Sequence, residues 1–328
     1  MADAGQAHTG GPEDPDKAAE VFTAARPRLF GIAYRMLGSA TEAEDVLQEV
    51  WLRWQTYDRA SVTTPVAFLT TATTRLAINV LQSARVRRET YVGPWLPEPV
   101  ATGGDPFLGA ERAEALGLAV LMLLERLSPT ERAAFILREA FEYPYPQIAD
   151  IVQVNDTAAR KLVSRARRHL WSERRAPVSD AEHRELLTAF VAAARIGDLA
   201  ALEKLLAADV VSYSDGGGGH RAARLPVVGS ARVAYFTASI ATRAWPGVTV
   251  DWGEINGERA ALLRDDGRLI AVLAVSASAE GIDQVLWMVN PVKIAAASAD
   301  LADRLTWGGS QRDRVPGHSG ERRRTTCA

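Results

Sequence analysis

Two groups of charged side chains in this sequence have the types and spacing needed to bind other macromolecules. In the first, Asp45, Gln48 and Glu49 follow one another along a segment whose apolar residues repeat with a helical period. Glu42 extends the group, and no basic residue interrupts it. Like charges on one helix repel each other by a few tenths of a kcal/mol per pair. A partner with basic residues would relieve that repulsion; a solvated acidic face is the alternative.

The second group is basic. Positions 154 to 175 hold seven arginine or lysine residues and two acids. Leu162, Ala166 and Leu170 repeat at steps of four, so they form one face of a helix and leave a polar face for binding. The residues that we expect to contact DNA from this helix are Thr157, Arg160, Lys161, Ser164, Arg165 and Arg168. The alternative is a helix pair with a solvated basic surface.

The elements around the basic helix predict a helix-turn-helix. Pro146 suits the first turn of a preceding short helix, and Gln153 to Asn155 break its apolar pattern. Asp156 is the expected cap of the second helix. In such a motif the second helix enters the DNA major groove.

Composition argues against several other classes of protein. The chain has 328 residues, enough for two or three domains, and a net charge of −2. Its five histidines are scattered, so we expect neither a metal site nor a cofactor. Cys327 is the single cysteine, so no intrachain disulfide can form. We find no secretory leader and no apolar run long enough to cross a bilayer, and expect a cytoplasmic protein.

The first part of the chain reads as a bundle of helices. After an acidic, Gly- and Pro-rich start, a helix runs to Gly38, and Thr41 with Glu44 has the spacing of a capping box for the next. A loop containing Tyr57 precedes a third helix, which starts at Pro65. The polar residues of that helix that could contact DNA are Arg75, Asn79, Arg85 and Arg88. For the last two, simple capping of the helix C-terminus is the alternative.

Residues 90–106 are too rich in proline and glycine to form a regular helix or strand. Tyr91, Trp95 and Leu96 in this linker are costly to leave in water, so we expect it to pack against another domain. Helices then resume, one of them started by a capping box at Ser128 and Glu131.

The C-terminal part predicts an α+β fold. Ser179 caps a first helix, and alternating strands follow, with strong hairpin turns at Asn256-Gly257 and Asp265 to Gly267. The glycine run after Asp215 either permits a close backbone approach or is a floppy loop. Helices followed by such a sheet form a cone, and the cone encloses a pocket with room for an unknown small-molecule ligand. Its candidate lining residues are Tyr213, Asp215, His220, Trp252, Asp283 and Trp287. No Asp/His pair has a spacing that argues catalysis.

Taken together, residues 22–88 and 114–170 resemble the two regions of a bacterial sigma factor of the extracytoplasmic-function group, in the sigma-70 family. Residues 45–49, DVLQE, resemble the element that grips the β′ clamp helices of core RNA polymerase; the β subunit is the other expected polymerase contact. The resemblance implies that residues 65–88 melt and read the −10 promoter element. It also implies that the preceding loop captures an unstacked base and that the helix-turn-helix reads the −35 element.

Three further motifs resemble a sigma-J-like subgroup with a fused SnoaL-like C-terminal domain. They are GPWLPEP in the linker, the run DGGGG and the sequence NPVKI. The residues that this resemblance makes regulatory are Trp95, Leu96, Pro97, Asp215, Gly216, Gly217, Gly218, Asn290, Pro291 and Lys293. Two positions depart from the pattern: His220 stands where a lysine is usual, and Val292 replaces an aspartate.

We therefore expect two all-α sigma domains followed by an α+β cone of the nuclear-transport-factor-2-like (NTF2-like) class. The expected parts are a disordered segment 1–16, sigma region 2 at 17–89, a linker at 90–109, sigma region 4 at 110–175, the SnoaL-like domain at 179–303 and a disordered tail at 304–328. The predicted function is promoter-specific transcription initiation, modulated in cis by the C-terminal domain. The alternatives are a ligand-sensing helix-turn-helix regulator, and a SnoaL-like isomerase or cyclase fused to a DNA-binding module.

Overall fold

A computed structural model describes residues 15–102, 117–171, 175–219, 222–295 and 297. Residues 1–14 of the expected disordered segment 1–16, the whole expected tail 304–328 and His220 therefore lie outside the described residues. The first domain has three helices: α1 (Pro15–Leu37), α2 (Ala40–Thr56) and α3 (Pro65–Glu89). A single 3-10 turn, Arg59–Ser61, stands in the loop before α3.

The second domain has four described helices, which are α4 (Leu118–Leu124), α5 (Pro129–Glu139), α6 (Tyr145–Val152) and α7 (Asp156–Trp171). Helices α6 and α7 form the predicted helix-turn-helix, and Gln153 ends α6 in the left-handed conformation. One apolar core runs through both domains: Leu29 and Leu37 of α1 belong to the same buried cluster as Leu137 of α5.

The third domain begins with α8 (Asp180–Ile196) and α9 (Leu199–Leu205). Its strands and remaining helix are β1 (Leu206–Asp215), β2 (Val227–Val228), α10 (Ser230–Ala244), β3 (Val248–Ile255), β4 (Glu258–Asp265), β5 (Arg268–Ser278) and β6 (Gly281–Met288). The strand order is β2-β1-β6-β5-β4-β3. Strands β3 to β6 form an antiparallel meander, and β1 adds to it by pairing in parallel with β6.

The sheet has two apolar faces. The inner face packs against α8, α9 and α10, with Phe190 and Leu273 fully buried between them. The outer face includes Val272, Leu286 and Met288, and it is covered by Leu96 of the linker together with residues of α4. The linker therefore completes the hydrophobic core of the third domain.

Several local predictions from the sequence are confirmed. Ser128 and Glu131 form the full capping box of α5, and Ser179 caps α8. Both hairpin turns are present, with positive φ at Asn256 and Asp266.

Two predicted caps are wrong. The cap of α2 is Ser39, whose side chain accepts from the Glu42 amide, rather than Thr41. In α7 the Asn155 side chain accepts from the Ala158 amide at 2.8 Å, and Asp156 is already helical. In both cases the chain enters the helix one or two residues earlier than the hydrophobic pattern suggests.

The capping box of α5 gives a direct stability prediction. Ser128→Ala removes the acceptor for the Glu131 amide, so we expect a loss of about 1 kcal/mol and a lower thermal midpoint. Ser83→Ala makes the same chemical change at an exposed position inside α3 and should be neutral or slightly stabilising. Thermal unfolding followed by circular dichroism measures both, and equal midpoints for the two variants would contradict the role of the cap.

Candidate functional site

The basic residues of α7 share one exposed surface. Thr157, Arg160, Lys161, Ser164, Arg165 and Arg168 together line a single shallow groove on the helix. Ala159, Val163 and Ala166 on the opposite side are fully buried, which fixes this face outward. The helix-turn-helix thus presents as one surface all six residues that the sequence analysis selected.

The acidic residues of α2 are also exposed together. Asp45, Gln48 and Glu49 lie outward because Val46, Leu47 and Val50 are buried against the rest of the bundle. Glu49 forms an ion pair with Arg53 at 2.9 Å, one turn along the helix. The arrangement leaves a solvent-facing, largely acidic helix surface at one side of the first domain.

Tyr57 stands in the loop before α3, about half exposed. Its ring packs against Phe68 with a centroid distance of 4.5 Å, and Phe68 in turn contacts Trp54. An exposed ring supported from behind by other aromatics is a suitable platform for stacking an unpaired base.

The polar residues of α3 have different surroundings from one another. Arg75 donates through Nε to the carbonyl of Ile151 at 3.0 Å and through a terminal nitrogen to that of Asp150 at 2.9 Å. Those carbonyls are at the end of α6, where a helix dipole favours a cation. Asn79 is exposed, and the side chain of Arg85 lies outside the described part of the chain. The residue Arg75 therefore joins the first domain to the helix-turn-helix.

Arg88 is directed into the protein rather than outward. Its guanidinium bonds Glu125 and the carbonyl of Leu37, and it lies over the ring of Trp95 at 3.7 Å from the centroid. Only 13% of its side chain is exposed. In this arrangement Arg88 is a structural contact between the first domain, the linker and the second domain, and its expected use on DNA requires another conformation.

At the centre of the linker contact is Asp215, a fully buried carboxylate. It accepts from the Leu96 amide at 2.9 Å, from the Tyr91 hydroxyl at 2.5 Å and from Lys293 Nζ at 2.7 Å. The same lysine donates to the Leu96 carbonyl and lies 4.3 Å from the centroid of the Trp95 ring. A buried carboxylate is tolerated only with such partners.

Burial governs the titration of these groups. It lowers the pKa of Lys293 from its ordinary value, while the adjacent Asp215 carboxylate acts in the opposite direction. Burial, with the hydrogen bond to Asp215, raises the pKa of Tyr91 well above its usual range. Tyr91 is therefore a neutral phenol near neutral pH and donates its proton to the carboxylate.

The glycine run and Asn290 complete this site. Gly217 and Gly218 have positive φ, and a Cβ on Gly217 would come within 2.8 Å of the Asn290 amide nitrogen. Asn290 itself donates to the Tyr91 hydroxyl at 2.8 Å. Of the two readings of the run, close approach of the backbone is confirmed. Val292, which replaces an expected aspartate, is 78% exposed.

The second half of the linker is held by the β3–β4 hairpin. The Asn256 side chain accepts from the Val100 amide at 3.0 Å and donates to the Tyr34 hydroxyl at 2.6 Å. Tyr34 donates to the carbonyl of Glu98, also at 2.6 Å, and burial raises its pKa well above the ordinary value. The carboxylate of Glu98 accepts from Ser39 and from the Thr41 amide at the start of α2.

Sequence reasoning missed Tyr34, Glu98 and Asn256 as site residues. The hairpin turn at Asn256 was visible in the sequence, but its side-chain contacts reach 156 and 222 residues away along the chain. Among the cone residues proposed to line a pocket, Tyr213, Trp252 and Asp283 border a crevice, whereas Asp215 binds the linker and Trp287 belongs to the inner core.

Comparison with known proteins decides the family. Residues 21–87 match the family description "Sigma-70 region 2", and residues 117–170 match "Sigma-70, region 4". The ECF RNA polymerase sigma factor SigJ of Mycobacterium tuberculosis (strain ATCC 25618 / H37Rv) is 39% identical over 232 residues, covering 69% of this chain and 74% of SigJ. This chain belongs to the ECF sigma factors. It therefore acts in promoter-specific transcription initiation, and its partners are core RNA polymerase and promoter DNA.

Two further likenesses extend over the third domain. The crystal structure of M. tuberculosis SigJ matches with a TM-score of 0.68 at 31% identity, covering 85% of this chain and 99% of that one. The probable ECF sigma factor SigI of M. tuberculosis (strain CDC 1551 / Oshkosh) is 32% identical over 294 residues, covering 88% of this chain and 98% of SigI. The architecture of two helical sigma domains with a helix-and-strand C-terminal domain is thereby confirmed. Within the described residues, no helix is long and apolar enough to span a bilayer.

The Asp215 contact predicts how firmly the linker is held. Lys293→Met keeps the length of the side chain but leaves Asp215 buried without its cation, which costs about 3–5 kcal/mol. The Leu96 amide donates a hydrogen bond to Asp215. We therefore expect its hydrogen to exchange with solvent deuterium much faster in this variant. Lys204→Met, at an exposed lysine of α9, is the control and should leave the exchange rate unchanged. Equal protection in the two variants would contradict the assignment.

Proposed function

We propose that this ECF sigma factor is regulated in cis by its C-terminal domain, which acts by gripping the linker between sigma regions 2 and 4. The observation that carries the proposal is the double attachment of the linker. Its first half is bound by Asp215 and Lys293, and its second half by Asn256. A domain that binds the linker at both ends controls the freedom of the two sigma domains that the linker joins.

In the proposed cycle, the attached linker favours a closed arrangement. Arg75 is then bonded to the end of α6, and Arg88 is enclosed by Glu125 and Trp95. Both arginines belong to α3, the helix that we propose to read the −10 element. Asn79 and Arg85 of the same helix and Tyr57 of the preceding loop are proposed to take part in this reading. Release of the linker would separate the helix-turn-helix from α3 and free these side chains for DNA.

The polymerase contact is assigned to Asp45, Gln48 and Glu49 of α2, which would dock on the β′ clamp helices, with the β subunit as a second contact. These residues are exposed in the closed arrangement. The six exposed polar residues of α7 would read the −35 element from the major groove. Both surfaces face solvent in the closed arrangement, so neither is covered. The closed arrangement would instead restrict the distance and orientation between the α2 surface and the α7 surface.

The C-terminal domain is proposed to be SnoaL-like and to regulate rather than to catalyse. If the domain were an enzyme, Asp215 would be the candidate catalytic acid or base. Its carboxylate already accepts hydrogen bonds from Leu96, Tyr91 and Lys293. Residues of its outer face complete a core with the linker, which suits a docking domain. Since its task is to guide core polymerase, we propose that the protein works in the cytoplasm.

The polymerase surface is tested by charge reversal. Asp45→Arg or Glu49→Lys should abolish holoenzyme formation without unfolding the protein, because both side chains are exposed. Glu203→Lys makes the same kind of charge change on the third domain and should bind normally. The measurement is a pull-down with purified core RNA polymerase, alongside circular dichroism of each variant. Retention of polymerase by the α2 variants would refute the assignment.

Regulation in cis is tested by run-off transcription. A chain ending at residue 178 lacks the whole third domain, whereas a cut near Asp209 would fall inside β1. We expect the shortened chain and the full-length Asn256→Ala variant to give several-fold more transcript than the wild type, because each releases the linker. Equal transcript from all three would count against regulation by linker docking while leaving the sigma assignment intact.

A further inference from the structure

The connector that follows the basic helix α7 is attached to the C-terminal sheet within a few residues. Arg175 forms a bidentate ion pair with Asp209 of β1, and both nitrogen–oxygen distances are 2.9 Å. The same guanidinium also pairs with Asp283 of β6 and with Glu280, at 3.0 Å, in the turn before that strand. An isolated surface ion pair contributes little, but a bidentate pair within a network holds its geometry. Arg175 therefore joins the connector to two neighbouring strands.

Backbone contacts fix the residues that come next. Pro177 pairs with Ser278, the last residue of β5, as an antiparallel bridge. The Val178 amide donates to the Ala277 carbonyl at 3.3 Å. Helix α8, the first of the C-terminal domain, begins two residues later. From its ion pairs to α8, the connector is thus part of the C-terminal domain.

Chain length then limits how far α7 can move from that domain. Three residues separate Trp171, where α7 ends, from Arg175. Four consecutive Cα-to-Cα steps of an extended chain span at most about 14 Å. The end of the basic helix therefore stays within about 14 Å of the Arg175 anchor, whether or not the linker is docked.

The beginning of sigma region 4 is attached to the same domain. Helix α4 has two apolar sides. Leu121 and Leu124 belong to the core of the sigma domains, whereas Leu118 and Met122 pack on the outer face of the C-terminal sheet. Leu118 is buried there, and burial of a leucine side chain favours this contact over exposure to water. Region 4 is thus attached to the C-terminal domain at its first and at its last described helix.

The C-terminal domain is attached to region 2 in a different way. Asn256 donates a hydrogen bond to the Tyr34 hydroxyl of α1 at 2.6 Å. The contacts of Asp215 and Lys293 reach region 2 through the linker, because both groups bond Leu96. In the proposed cycle these linker contacts are the ones that break, whereas the attachments of region 4 do not involve the docked linker residues.

We infer that sigma region 4 and the C-terminal domain move as one body, and that release of the linker frees region 2 from both of them together. The release step rests on the proposed function, whereas the attachment of region 4 does not. The C-terminal domain is then carried to the promoter at the end of the helix that we propose to read the −35 element. In the initiation complex it lies beside that element instead of remaining with region 2.

Double electron–electron resonance on the full chain, with Cys327 replaced by serine, tests this in the free protein and in the promoter-bound holoenzyme. Spin labels at Gln153, after α6, and at Glu203 of α9 report the position of region 4 relative to the C-terminal domain. Both side chains are exposed. We expect the same narrow distance distribution in the two states. A shifted or broadened distribution in the holoenzyme would overturn the inference.

A second pair of labels separates this result from the fate of the proposed cycle. Gln82 of α3 and Glu203 report the position of region 2 relative to the C-terminal domain. Their distance should lengthen in the holoenzyme, because the linker is released there. A constant distance for this pair would contradict linker release, while the first pair still decides whether region 4 and the C-terminal domain form one body.

Weakening both attachments should loosen this body. Arg175→Gln together with Met122→Gln removes the ion pairs of the connector and an apolar contact of α4. The next anchor of the connector is then the bridge at Pro177, so the tether lengthens to about 21 Å. We expect the distribution between the labels at Gln153 and Glu203 to broaden in the holoenzyme. A distribution like that of the wild type would show that these attachments do not hold the two parts together.

The matched control makes the same two chemical changes at exposed positions of the C-terminal domain. Arg243→Gln together with Leu225→Gln should keep the wild-type distribution. Circular dichroism checks the folding of each variant. If Arg175→Gln prevents folding, Asp209→Asn with Asp283→Asn weakens the same ion pairs from the sheet side and should broaden the distribution when combined with the change in α4.

Discussion

The arrangement of this sigma factor depends on the burial of one carboxylate. Asp215 has no exposed surface, and a desolvated charge is stable only when its lone pairs and its charge are matched. One partner, Lys293, comes from the same domain, but the Leu96 amide and the Tyr91 hydroxyl come from the linker. Undocking the linker would therefore leave a buried charge underbonded, which gives the C-terminal domain a strong preference for the bound linker.

That local requirement is transmitted to the sigma domains through backbone and aromatic contacts. The cations of Lys293 and Arg88 both contact the Trp95 ring, and the ring packs on Gly38, where a Cβ would come within 2.8 Å of it. Glu98 then bonds the first turn of the acidic helix α2. The linker is thus packed against the beginning of the helix that we propose to bind polymerase, one turn before Asp45.

Local structure was largely predictable because its causes are local. The capping box at Ser128, the turn at Asn256 and the exposed basic face of α7 follow from residues within a few positions of each other. The parallel pairing of β1 with β6 and the partners of Tyr34 were not predictable, because they join segments far apart in sequence. The aromatic residues of the linker indicated that it packs against another domain, but not that Asp215 would be the carboxylate that binds it.

The central claim is that the docked linker holds sigma regions 2 and 4 together and that polymerase binding separates them. Double electron–electron resonance between spin labels at Gln82 of α3 and Gln153 after α6, with Cys327 replaced, measures this separation directly. The account predicts one short distance in the free chain, a longer one in the holoenzyme, and a mixture in free Lys293→Met. The same short distance in the holoenzyme as in the free wild-type chain would contradict it.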